Sequence, residues 1–316
     1  MRKFILTGII FSIGLFGLAT FIDYVITKQL RKSTSQMLAS WNDIYSGELQ
    51  SDVVIMGNSR AWSQYSPVFL DSILGVNSYN LGFDGSPINR QIIKYDAYRR
   101  YNNKPQYIIQ NIDFITIDIG SGYERQQFFP YFFDDSLIID IYKYESFGFW
   151  EKVLPVYRYF GYPDLMQKAI MPYYKYISDG NMQRGYYGKD FSWDGSALAK
   201  QGKIIYSQDS LALHLFDEYL AKAYSEGVKV IFVYAPSYIA ATEKIKNIEG
   251  MYEMYDSIAR KYNIPILDYN YAPISYDTTY FYNAIHLNKK GAEFFSTILA
   301  HDIDSLGILI EKNASR

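Results

Sequence analysis

A serine and a histidine far apart in the chain have the types and settings needed for nucleophilic acyl chemistry. Ser59 closes the run Val53-Val54-Ile55-Met56-Gly57-Asn58-Ser59, four apolar residues followed by a small-residue turn. His286 lies in Asn283-Ala284-Ile285-His286-Leu287-Asn288, just ahead of a helix-like stretch. A serine hydroxyl is a weak nucleophile at neutral pH and needs a base within hydrogen-bond reach. Imidazole can take that proton and return it to a leaving group at the same pH. Alone, Ser59 would merely cap the helix after a strand, and His286 would merely cap the last helix. The other two histidines, His214 and His301, fall on expected helices and carry no motif.

Short apolar runs alternate with helical patterns along the chain, which predicts a parallel sheet covered on both faces. Strands are expected at Asp52–Met56, Asn77–Leu81, Gln106–Ile112, Val228–Tyr234 and Ile264–Leu267. Helices are expected at Pro67–Leu74, from a Ser86 cap and Pro87 to about Tyr101, and at Leu211–Ser225, Glu243–Tyr262 and Lys289–Leu306. In such sheets the site forms beyond the carboxyl ends of the strands. Ser59, Gly82 and Asn111 follow the first three strands and so share one edge. Residues 120–203 break the alternation and are rich in aromatic residues, Gly and Pro, which predicts an insertion beside the site.

With those blocks placed, the sequence resembles the SGNH (GDSL-type) hydrolase superfamily. Gly57-Asn58-Ser59 stands for its first block and Gly82 in Asn80-Leu81-Gly82 for its second. Asn111 in Ile109-Gln110-Asn111-Ile112-Asp113 stands for its third, without the usual flanking glycine. Asn283-Ala284-Ile285-His286 stands for its Asp-x-x-His block, with asparagine in the aspartate position. The resemblance covers about Asp52 to Leu306 outside the insertion. It implies a flavodoxin-like three-layer α/β sandwich with a five-stranded parallel sheet. It also implies catalysis by Ser59 and His286, with Asn283 orienting the imidazole, and an oxyanion hole from the N–H groups of Ser59 and Gly82 and the Asn111 amide. Asn283 brings no negative charge, so Asp84 or Asp113 as the third member, or a Ser–His dyad, are the other arrangements.

The amino terminus adds a compartment. Arg2 and Lys3 precede an uncharged run, Phe4 to Ile22, that Asp23 ends. About nineteen helical residues span about 28 Å, close to a bilayer's hydrocarbon core. The expected organisation is a membrane anchor over 1–30, a linker over 31–50 and an SGNH-like domain over 51–310. The amino terminus would lie inside and the domain outside the cell membrane; a cleaved signal peptide is the rival. Net charge is −2 with no basic block, so no nucleic-acid partner is expected. There is no cysteine, hence no disulfide or thiolate metal site. Asp113 and Asp118 lack a nearby histidine, so no metal is expected, and nothing calls for a cofactor. Tyrosine is abundant, 33 residues, which suits a Tyr-rich core first and a glycan-contacting surface second. Arg60 and Trp62 are expected to serve surface salt bridging and core packing first, and contact with substrate second. The expected activity is an esterase or O-acyltransferase on an acyl ester, an acylated envelope glycan above all; the alternative is an inactive scaffold that binds glycan or protein.

Overall fold

The computed structural model describes residues 1–119, 125–134, 141, 147–170, 182–195, 198, 202–205 and 207–309. Five parallel strands build one sheet: β1 Val53–Met56, β2 Ser78–Asn80, β3 Tyr107–Asn111, β4 Lys229–Tyr234 and β5 Ile266–Asp268. Their order is β2-β1-β3-β4-β5. This is the flavodoxin-like order, in which the chain reverses direction across the sheet between β1 and β3. Every residue of β1 and β3 is buried, which is why these strands read as continuous apolar runs.

Strand periodicity sorts the side chains into two layers. Val53, Ile55, Ile109, Ile231 and Val233 pack with Phe295, Leu299 and Ile303 of the helix Lys289–Ser305 and with Tyr65 and Leu70. Phe232 and Tyr234 point to the other face. There Phe232 stacks on Phe216 of helix Ser210–Ser225, and both strand rings meet Tyr255 of helix Ile248–Tyr262. Each such ring, fully buried, contributes on the order of 1.5–3 kcal/mol.

The strands and helices fall within about two residues of the sequence reading, with two departures: the helix after β2 runs Ile88–Tyr101 with Pro87, not Ser86, at its N-cap position, and a second helix starts late. The helix expected over Glu243–Tyr262 begins only at Ile248, and a separate short helix, Ile239–Thr242, precedes it. Between them the chain pairs with Ile204: the Ile204 N–H donates to Lys244 O and the Lys246 N–H donates to Ile204 O, both at 2.9 Å. Backbone groups used in that bridge cannot serve a helical ladder.

The described residues fall into two compact units, one within Met1–Asn42 and Ser121–Asp179, the other within Asp43–Gly120 and Gly180–Arg316. The first contains the helix Arg2–Leu30, long and apolar enough to cross a membrane, with mean hydropathy 2.3 in its most apolar window. Its Asp23 carboxylate is buried against Arg158, in two hydrogen bonds of 2.7 Å. The stretch expected as linker holds the helix Gln36–Ser46. The described residues of 120–203 are divided between the two units.

Candidate active site

The second unit brings Ser59 and His286 together. Ser59 opens the short helix Ser59–Gln64 directly after β1. The turn needs Gly57, whose φ is +148° and where a Cβ would lie 2.7 Å from Ala61 Cβ and 2.9 Å from Asn111 Cβ. Asn58 caps the helix by accepting from the Arg60 N–H at 3.0 Å. The Asn58 amide donates to both oxygens of Asp113 at 2.9 Å.

His286 is set by a tight hairpin, Phe281–Asn283 against His286–Leu287. Asn283 Oδ1 accepts from the backbone N–H of Ile285 at 3.1 Å and of His286 at 3.0 Å. This is an Asx turn, and it explains the three-residue spacing. The same oxygen lies 3.0 Å from His286 Nδ1. Two backbone donors fix this atom as the amide oxygen, since an amide nitrogen could not accept from them. His286 therefore carries its proton on Nδ1, and the Nε2 lone pair faces Ser59 Oγ at 2.8 Å. Gln64 fastens the two elements, donating to Ile285 O at 3.1 Å and Pro236 O at 3.2 Å.

Burial, with the positive charges of Arg60 and Lys189, pushes the His286 pKa down to about 3. The imidazole is thus neutral and able to accept a proton across the physiological range. Tyr282 lies parallel to the imidazole, centroids 5.3 Å apart. Lys189 sits 4.8 Å over the Tyr282 ring and 5.5 Å from the Trp62 ring, and Trp62 stacks on Tyr187 at 4.9 Å.

The expected oxyanion donors are placed differently from one another. The Ser59 N–H has no hydrogen-bond partner among the described residues. The Gly82 N–H donates to Asn80 Oδ1 at 2.8 Å, and Asn80 also donates to Ala61 O and Tyr65 O. Gly82 packs so closely on the Ser59 helix that a Cβ would lie 2.5 Å from Trp62 N. One hydrogen of the Asn111 amide goes to Asp113 Oδ2 at 3.2 Å, and the Tyr65 hydroxyl donates to Asn111 Oδ1 at 2.9 Å. Burial raises the Tyr65 pKa well above its ordinary value, which keeps it a donor. The second Asn111 amide hydrogen is left for another acceptor.

No family model matches the chain, and no curated protein matches it. Among solved structures it is similar to a protein ascribed to the lipolytic G-D-S-L family from Desulfitobacterium hafniense DCB-2. That likeness has TM-score 0.40 and 14% identity over 79% of this chain and 97% of that one. A protein ascribed acylhydrolase activity from Bacteroides fragilis NCTC 9343 is similar at TM-score 0.38 and 13% identity, over 80% and 86%.

Neither alternative carboxylate takes the third position. Asp113 binds Asn58, Asn111, the N–H groups of Ile115 and Thr116 and the Thr116 hydroxyl, with Arg60 Nη1 at 3.7 Å. Asp84 is exposed, and His286 Nδ1 is held by Asn283. Arg60 is buried as a site residue: it donates to Ala235 O and lowers the His286 pKa. Lys189 and Gln64 were not found by sequence reasoning. Their only local signals are a lysine within an aromatic segment and a glutamine on the helix that Ser59 opens.

Proposed function

We propose that this chain is a membrane-anchored serine ester hydrolase or O-acyltransferase that works through an acyl-serine intermediate outside the cell membrane. The observation that carries this reading is the line Asn283 Oδ1, His286 Nδ1, His286 Nε2, Ser59 Oγ, with contacts of 3.0 and 2.8 Å. Ser59 Oγ attacks the ester carbonyl as His286 Nε2 takes its proton. The carbonyl oxygen becomes an anion facing the Ser59 N–H and the remaining Asn111 amide hydrogen. Collapse breaks the bond to the alcohol, which leaves with the proton from Nε2. Water or an acceptor hydroxyl then attacks the acyl-serine, giving its proton to Nε2, and Ser59 is restored.

A short acyl group fits best. A cavity of about 100 Å³ is lined by Arg60, which follows Ser59, and by Ile285, which precedes His286. Ile245, Ile248 and Met251 give it an apolar wall. An acylated envelope glycan supplies such a group outside the membrane, and the half-buried Tyr282 beside His286 supplies a ring of the kind that contacts sugars.

A fluorophosphonate probe tests the nucleophile: Ser59 Oγ should displace fluoride, and Ser59→Ala should abolish labelling while the thermal transition stays unchanged. Persistent labelling would sink the assignment. Acetyl and butyryl esters should turn over faster than long-chain esters. The rival reading is a glycan-binding scaffold without turnover, favoured by the Gly82 N–H being spent on Asn80. Glycan binding with neither labelling nor ester turnover would establish it.

A further inference from the structure

The helix Arg2–Leu30 does not stand alone in its unit. A cavity of about 590 Å³ opens along it, within the roughly 300–1,000 Å³ of small-molecule sites. One wall is the helix face Ser12, Leu15, Phe16 and Ala19; the facing wall includes Leu154, Val156, Phe160 and Met166. Among the described residues, no charged side chain lines it. Asp23 ends the apolar run, so at 1.5 Å per residue Ala19 to Ser12 lie about 6–16 Å along the helix from that end, inside the span.

The same unit exposes an aromatic surface. Phe160 is 82% exposed, Phe149 65% and Trp150 54%. Tyr157 stacks on Phe160 and Phe149 meets Trp150 edge-on. Such a patch is unfavourable in water, whereas Trp and Tyr concentrate at bilayer interfaces. The following helix, Pro163–Ile170, has one side buried at Leu165 and Ala169 and the other open at Asp164 and Gln167. That is the pattern of an amphipathic helix closing the unit on its apolar side, so the aromatic surface is carried by Phe149, Trp150, Tyr157 and Phe160.

We propose that Phe149–Met166 is a second membrane-seated element, and that the cavity between Ser12–Ala19 and Leu154–Met166 holds an acyl chain of a bilayer phospholipid. This rests on the reading of Arg2–Leu30 as a span. The argument for lipid is position: a groove opening from the apolar part of a span meets hydrocarbon, and a lining without charge offers a polar ligand nothing to bind. The contact also explains how the segment is held. Arg158 reaches Asp23 in a buried, bidentate pair, its Nη2 bonds Thr27 at 2.9 Å, and the Val156 N–H donates to Asp23 at 2.7 Å. The segment is thereby latched to the helix at the outer end of the apolar run.

The test uses the full chain reconstituted in phosphatidylcholine vesicles that contain a phosphatidylcholine with a diazirine within one acyl chain. Light expels nitrogen, and the carbene inserts into a neighbouring C–H or X–H bond. Adducts are expected on Leu154–Met166 as well as on Phe4–Ile22. Adducts confined to Phe4–Ile22 would overturn this inference and leave the span intact. No adduct on either stretch would overturn both. Ala19→Trp, which fills the groove, should reduce labelling of Leu154–Met166 at least fivefold and spare Phe4–Phe11; equal labelling of both variants would overturn the cavity as the lipid's seat. Phosphatidylcholine brominated on its chains should quench tryptophan emission, and Trp150→Phe should remove most of that quenching; quenching unchanged by Trp150→Phe would overturn the interfacial seat.

Discussion

The two sides of Ser59 are built on opposite plans. Towards His286 every group is aimed along one line, and Asn283 Oδ1 gathers three donors so that the imidazole presents a lone pair to the hydroxyl. Towards the sheet, the groups that would face an oxyanion are tied to each other: Gly82 to Asn80, and Asn111 to Asp113 and Tyr65. One side is arranged for proton transfer before any substrate arrives. The other spends the Gly82 N–H and one Asn111 amide hydrogen on holding the loops after β1, β2 and β3 together. Proton relay and oxyanion stabilisation should therefore respond differently to substitution.

The largest effect falls on the relay. His286→Ala should lower ester turnover by about 10⁴–10⁶, because a serine without its base is as poor as one removed. Steady-state kinetics on a short ester checks this, and a loss under tenfold would break the relay. Asp113→Ala attacks the other side through its framework. It leaves the buried amides of Asn58 and Asn111 and the Thr116 hydroxyl short of an acceptor, and Arg60 without its carboxylate. Unfolding free energy should fall by about 3–5 kcal/mol, read as the midpoint shift in urea. An unchanged midpoint would mean that the network contributes nothing. Asn111→Ala should cost about 10²–10³ in kcat with a small change in KM, the signature of one lost oxyanion donor. A loss confined to KM would place Asn111 outside the transition state.

What the sequence made legible is local. The five strands and the edge carrying Ser59, Gly82 and Asn111 follow from apolar runs and turns, because burial on both faces leaves that imprint. The Asn283–His286 spacing is legible for the same reason: an Asx turn is complete within four residues. Asp113 gave no such signal. Its partner Asn58 is 55 residues away, and only the fold makes the two adjacent. Gln64 reaches Ile285 across 221 residues, and Arg158 reaches Asp23 across 135. The break before Ile248 has the same origin, since Ile204 competes for backbone groups that local propensity assigns to a helix.

The smallest effect separates geometry from charge. In a chymotrypsin-like protease, replacing the triad aspartate by asparagine costs about 10⁴ in turnover, largely because the imidazole adopts the wrong tautomer. Here Asn283 Oδ1 is held towards Nδ1 by two backbone donors, so the tautomer is already correct. Only the charge is missing. Asn283→Asp keeps the Asx turn and adds a carboxylate against Nδ1–H. Turnover should rise about tenfold, equivalent to about 1.4 kcal/mol, and not by the roughly 10⁴ that a tautomer repair would give. The pH profile supplies an independent check. With the His286 pKa near 3, the acid limb of kcat/KM in the parent should lie well below pH 6. A neighbouring negative charge favours imidazolium, so the variant's acid limb should move to higher pH. A gain in rate without that movement would mean that the introduced carboxylate acts elsewhere than on His286. A gain approaching about 10⁴ would mean that the parent's imidazole does not carry its proton on Nδ1.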